Sequence, residues 1–116
     1  MAGLKHPTGQ YNRQVQVQAR VKPARLNELN EEVVEWEPLV TRWARIEPLS
    51  GREFWNAQQS QSAVTHLVSL RGVVRGLTTQ HRLQMGRRIF NIESIIDLND
   101  EHYEHELRCI ERADLK

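Results

Sequence analysis

The chain contains only one cysteine, Cys109. It can form no internal disulfide, and the sequence therefore fits a reducing compartment. Long hydrophobic runs are missing too. Nothing approaches the length of a membrane span. The opening MAGLKHPTGQYN lacks the apolar region of a signal peptide. No membrane role and a cytosolic origin are expected. The net charge is only +1, which gives no bulk attraction to nucleic acid or to a membrane.

Catalytic signatures are equally scarce. There is no Gly-x-Ser-x-Gly elbow and no glycine-rich phosphate loop. His102, His105 and Cys109 lie close in sequence. As strand residues, however, the two histidines point to opposite faces, and no second Cys or His group completes a tetrahedral site. Glu104 and Glu106 share a strand face near the chain end and read as soluble surface rather than a catalytic pair. Cys109 alternates with apolar positions and reads as a small buried hydrophobe. No catalytic residue, metal or cofactor is expected.

Against these absences stands an ordinary folded composition, 39% hydrophobic and 27% charged over 116 residues, which suits one domain with one core. The charge is segregated. Glu28, Glu31, Glu32, Glu35 and Glu37 form an acidic block. From Phe54 to Ile92 there is no acid, and Arg71, Arg75, Arg82, Arg87 and Arg88 all fall there. Acids then return from Glu93 to Glu106. Two readings stand: solvated loops and strand faces, or complementary edges on neighbouring copies.

Met1 to Asn12 contains Gly3, Pro7 and Gly9 without periodicity and reads as a mobile arm. Arg13 to Lys22 alternates strictly, with Val15, Val17, Ala19 and Val21 on one face and Gln14, Gln16, Gln18 and Arg20 on the other. Pro23 closes that strand, and Ala24 to Glu32 reads as an acidic loop. The chain is extended again from Val33, with Pro38 marking an edge, bend or bulge. Trp43 falls on the outer face, to be covered by a helix or a partner subunit.

Ser50-Gly51-Arg52-Glu53 has the form of a capping box, predicting a short helix from about Gly51 to Gln59. So short a helix must dock on the sheet or on a neighbour. Val64, His66, Val68 and Leu70 share a strand face within Ala63 to Arg71, so His66 reads as a core or edge histidine. His81 to Met85 and Arg88 to Leu98 are further strands, joined by a turn at Gly86-Arg87. The second should place Phe90, Ile92, Ile96 and Leu98 on one face. Tyr103 to Arg112 fits a strand or a helix by periodicity, and the all-β context favours a strand. The fold class expected is mainly β: a small antiparallel barrel of about six strands with one short helix in a long loop. The domain reading is an arm over 1–12, a barrel over 13–112 and a tail over 113–116.

The order and spacing of several short motifs resemble the head-closure proteins of tailed bacteriophages, also called head–tail joining, stopper or connector proteins. The matching residues are Trp43-Ala44, Pro48 to Trp55 (PLSGREFW), Ala57 to Gln59 (AQQ), His66 to Arg71, Gly86 to Ile92 (GRRIFNI), Ile95 to Asp97 (IID) and Glu106 to Cys109 (ELRC). The chain departs from the family pattern in the extra residues before Arg13, in Gly72, and in the acidic Asn27 to Glu35 segment.

The resemblance implies a non-catalytic virion protein. Copies would assemble as a ring, generally twelvefold, below the portal and adaptor and above a tail protein. The ring would line or close the channel for packaged double-stranded DNA in the virion neck, after assembly in the host cytoplasm. On that reading Ser50, Arg52, Glu53, Phe54, Trp55, Gln58, Gln59 and Gln61 form a channel-side or partner-facing loop. Trp43, Glu32, Glu35, Arg71, Arg75, Arg87 and Arg88 are subunit-interface candidates. The alternative reading is a small β-barrel that binds nucleic acid through an arginine-rich face.

Overall fold

The computed structural model describes residues 7–61, 63–97 and 104–112. Its strands are β1 (Arg13–Arg20), β2 (Arg25–Leu26), β3 (Glu32–Val33), β4 (Trp36–Pro48), β5 (His66–Arg71), β6 (Arg82–Met85), β7 (Arg88–Asp97) and β8 (Glu104–Glu111). One helix, α1 (Gly51–Gln59), lies between β4 and β5. Six strands close into a barrel in the order β1-β4-β5-β8-β7-β6, with β6 returning to β1, and every neighbouring pair is antiparallel. The mainly β barrel with a single short helix is thus the fold that forms.

Val15, Val17, Ala44, Val68, Leu70, Leu83, Phe90, Leu107 and Cys109 are all fully buried. Their strands alternate these with outward residues, as a small barrel filled by side chains requires. The strict antiparallel order also sorts the connections. The β4–α1–β5 connection, the β6–β7 turn, the start of β1 and the end of β8 gather at one end. The β1–β4 and β5–β6 connections lie at the other.

Two bulges modify this alternation. Val17 pairs with Val40 and Gln18 with Pro38, which leaves Leu39 as the extra residue. Pro38 thus sits beside a bulge, one of the options its ring leaves open. On β7, Ile92 pairs with Cys109 and Ser94 with Arg108, so Glu93 is extra. That residue reverses the face of everything after it. Phe90 and Ile92 point inward as expected. Ile95 then packs against the core, however, and Ile96 is exposed, which corrects the expectation for Ile96. Leu98 lies outside the described residues.

The acidic segment is also more ordered than a loop. β2 and β3 pair as a separate two-stranded hairpin. The Asn27 side-chain oxygen accepts from the amides of Leu29 (2.8 Å) and Glu31 (3.0 Å), and Asn30 takes a positive φ of 63°. Local Asn bonding of this kind builds a tight turn.

The segment before β1 is read from sequence as part of a mobile arm, yet it contributes a buried tyrosine. Gln10 accepts a bond from Arg45 of β4 (3.1 Å), while the Tyr11 hydroxyl donates to Glu104 of β8 (2.8 Å). Since β5 lies between those strands, residues 10 and 11 cross its outer face, where Ser69 is buried. Tyr11 is 3% exposed and Glu104 only 1%. Glu104 is therefore not soluble surface. Met1 to His6 lie outside the described residues.

Gln18 is a second correction. The alternation places it on the solvated face, but it is buried. Its amide donates to Gln16 and Gln84, and its oxygen accepts from Arg82 at 2.7 Å. Trp36 stacks under the Arg82 and Arg20 guanidinium groups at 4.2 and 5.5 Å, giving this polar patch an aromatic cover.

Candidate functional site

Helix α1 begins where the sequence predicts. The Ser50 Oγ accepts from the Glu53 amide and the Glu53 carboxylate accepts from the Ser50 amide, both at 3.2 Å. This reciprocal pair satisfies two backbone donors at the helix start. Packing adds little, because none of the nine helical residues is buried. Phe54 is 43% and Trp55 63% exposed. Arg52, Glu53, Gln58, Gln59 and Gln61 are exposed as well.

Glu53, Asn56, Ala57 and Ser60 face a groove of about 320 Å³ whose other walls are Leu49, Val64, Leu67 and Arg108. Leu67 and Arg108 are paired neighbours on β5 and β8. The helix thus stands off the barrel instead of sealing against it. Ser62 lies outside the described residues.

The same end of the barrel carries an ion-pair node. Arg88 grips Glu111 with two bonds, Nε to Oε2 at 2.7 Å and Nη2 to Oε1 at 3.1 Å. This fork geometry is among the stronger side-chain contacts. It holds the Glu111 carboxyl below the usual carboxylate range and raises Arg88. His66 Nε2 lies 3.7 Å from Glu111, and its ring meets Phe90 edge-on at 5.3 Å. Burial pushes the His66 pKa down, Arg88 pushes the same way, and Glu111 opposes both. The Thr65 hydroxyl bonds the His66 Nδ1 at 2.8 Å and accepts from the Glu111 amide at 2.8 Å. This arrangement locks the end of the barrel.

The residues singled out from sequence do not form one patch. Ser50 to Gln61, Arg87 and Arg88 gather at the helix end. Glu32, Glu35, Arg71 and Arg75 sit at the opposite end, in or beside the β1–β4 and β5–β6 connections. Trp43 lies between them on β4, 45% exposed. Glu35 pairs with Arg25 at 3.0 Å across the exposed surface. Arg88 is engaged by Glu111 and Arg82 by Trp36 and Gln18, so the arginines from 71 to 88 do not share a face. Sequence reasoning missed Tyr11, Trp36 and the groove under α1. No local signal marks them, because each depends on strands far apart in the chain.

A family model described as phage head completion protein matches residues 6–112. The chain belongs to that family. It is therefore a structural protein of the phage head, from a family of virion proteins and not of enzymes. Two solved structures share the head completion protein's fold. Protein SF1141 from Shigella flexneri 2a, known in solution, superposes with a TM-score of 0.69 at 16% identity, covering 94% of this chain and 99% of its own. A chain from the virion of a native gene transfer agent particle gives a TM-score of 0.54 at 16% identity, covering 84% and 91%. Among curated proteins no sequence matches it. Among the described residues of this head completion protein, no helix is long and apolar enough to cross a membrane.

Proposed function

We propose that this head completion protein joins the head to the tail as a ring of identical copies. The ring sits in the virion neck, between the portal and adaptor on one side and a tail protein on the other, and surrounds the channel for packaged double-stranded DNA. Assembly takes place in the host cytoplasm. The observation that carries this reading is α1. A capped helix that buries none of its residues and exposes Phe54 and Trp55 is made to be covered by something else. Trp43 adds a third exposed aromatic.

The barrel domain, over 13–112, is the body of each copy. Residues Ser50 to Ser62 are its channel-side or partner-facing element. They carry no acid after Glu53, so they can lie beside DNA without strong repulsion. Met1 to Asn12 serves contacts with neighbouring rings, and the acidic hairpin, which carries Glu32, serves contacts between copies. The likeness to a chain from a gene transfer agent virion supports the placement of such a barrel in a particle.

The test is to mix the protein with the portal–adaptor complex and image it by electron microscopy. A new ring of density is expected beneath the adaptor. Complexes that keep their original outline at saturating protein would refute the reading.

A further inference from the structure

The β2–β3 hairpin is as poorly covered as the helix. Leu26 is 56% and Leu29 78% exposed, the latter at the hairpin tip. Glu28 and Glu31 flank Leu29, with Glu32 next along the chain. The Asn27 bonds and the positive φ of Asn30 hold this tip in one shape before it meets anything. The groove under α1 has the opposite character. It is concave, walled by Leu49, Ala57, Val64 and Leu67, and edged by Arg108. Arg52 is exposed on the same helix. Glu53 also lines the groove, but its carboxylate is turned to the Ser50 amide in the capping box.

We infer that the hairpin tip of one copy seats in the groove beneath α1 of the next. Leu29 supplies the apolar anchor, and the flanking glutamates meet Arg108 and Arg52. A single anchor in a pocket ringed by complementary charge is an economical recognition device, and the pre-set turn lowers the entropy lost on docking. Hairpin and groove lie at opposite ends of one barrel, so a chain cannot satisfy itself. The contact is heterologous, and each copy keeps one free knob and one free hole until a ring closes. This pairing deepens the ring reading above and rests on it.

Cysteine cross-linking tests the contact directly, because Cys109 is fully buried and leaves engineered thiols as the reactive ones. Leu29→Cys and Ala57→Cys are made singly and together in the full-length protein and treated with a short bis-maleimide. The experiment is run on concentrated free protein and on portal–adaptor complexes. Mixed single variants should give dimers that join position 29 to position 57, and the double variant should give a ladder of multimers. Arg108→Glu should lower the cross-linked yield at least tenfold, and Glu31→Arg on the other chain should restore it. Thermal unfolding confirms that each variant keeps its barrel.

Yields no higher than a Leu29→Cys and Gln14→Cys control overturn the pairing, as do dimers joined only through position 29 on both chains. New ring density without a ladder overturns the pairing while leaving the head-to-tail role intact. A ladder without ring density supports the pairing and counts against that role.

Discussion

Replacing Ser50 with alanine should melt α1 and leave the barrel untouched. The serine side chain supplies half of a reciprocal cap, and its loss typically removes about 1 kcal/mol of helix stability. A nine-residue helix is marginal without such help. Since 1.4 kcal/mol is tenfold, the population of the frayed state should rise about fivefold. Amide hydrogen exchange reads this locally. Exchange should quicken about fivefold at Phe54 and Ser60, whose amides bond Ser50 and Asn56.

Val68 and Leu107, inside the barrel, should exchange at unchanged rates. The thermal midpoint separates the two ways the helix could matter. Were α1 part of the cooperative core, 1 kcal/mol would move the midpoint of a domain of this size by about 4 °C. With none of its residues buried, the expected change is less than about 1 °C. A drop of several degrees, or exchange at Phe54 that stays the same, would refute the picture of a helix held by its cap alone. Ser50→Asp, which keeps an accepting oxygen, should behave like the parent.

Tyr11→Phe removes one donor from buried Glu104 and should lower unfolding stability by about 1–2 kcal/mol in a urea titration with unchanged m, so equal midpoints would argue against a stabilising role for the segment that crosses β5. Acidification should weaken the fold in two stages. The pKa values of His66 and Glu111 are both depressed in the folded state, so the stability they contribute is complete above their unfolded values, about 6.5 and about 4.3. It is lost as pH falls through the lower folded values. The thermal midpoint should therefore begin to decline below about pH 6.5, and His66→Gln should remove that upper stage. A midpoint flat from neutral pH to about pH 5 would contradict it. Burial pushes the Cys109 thiol up to about 12. Native protein should thus resist a thiol-reactive disulfide reagent at about pH 8, and reaction should appear only on unfolding.

Features set by a few adjacent residues were legible in the sequence. Ser50 and Glu53 announce the start of α1 three residues apart, the β1 alternation identifies Val15 and Val17 as interior, and Gly86, at a φ of 62°, fits the turn drawn for it. Features set by distant strands were not. Glu93 looks like any polar strand residue, yet as a bulge it turns Ile96 outward and Ile95 inward. Tyr11 and Glu104 stand 93 positions apart, so neither advertises the other. Composition also cannot tell a tryptophan that caps a sheet from one left open. Trp36 is covered by the Arg82 and Arg20 guanidinium groups while Trp55 faces solvent. At the candidate site, the motif identified the helix but not the groove beneath it, because Leu67 and Arg108 come together only through the β5–β8 pairing.

Closure of the sheet governs how copies can meet. Each of the six barrel strands has a hydrogen-bonded neighbour on both sides, and the cycle returns to β1. The overlap is partial, since β4 pairs with β5 over Ala44–Pro48 and β7 with β6 over Arg88–Asn91. Over those stretches an incoming chain finds no unpaired backbone row to extend, and growth by strand addition is blocked there. The separate hairpin keeps outer edges on β2 and β3, but each has two residues, too few to template a sheet. Around the closed part of the barrel, association must then run through side chains and loop shapes, which are specific in register and can come apart. A particle built in ordered steps needs parts that ignore one another until the correct surface arrives, and a closed barrel supplies that restraint.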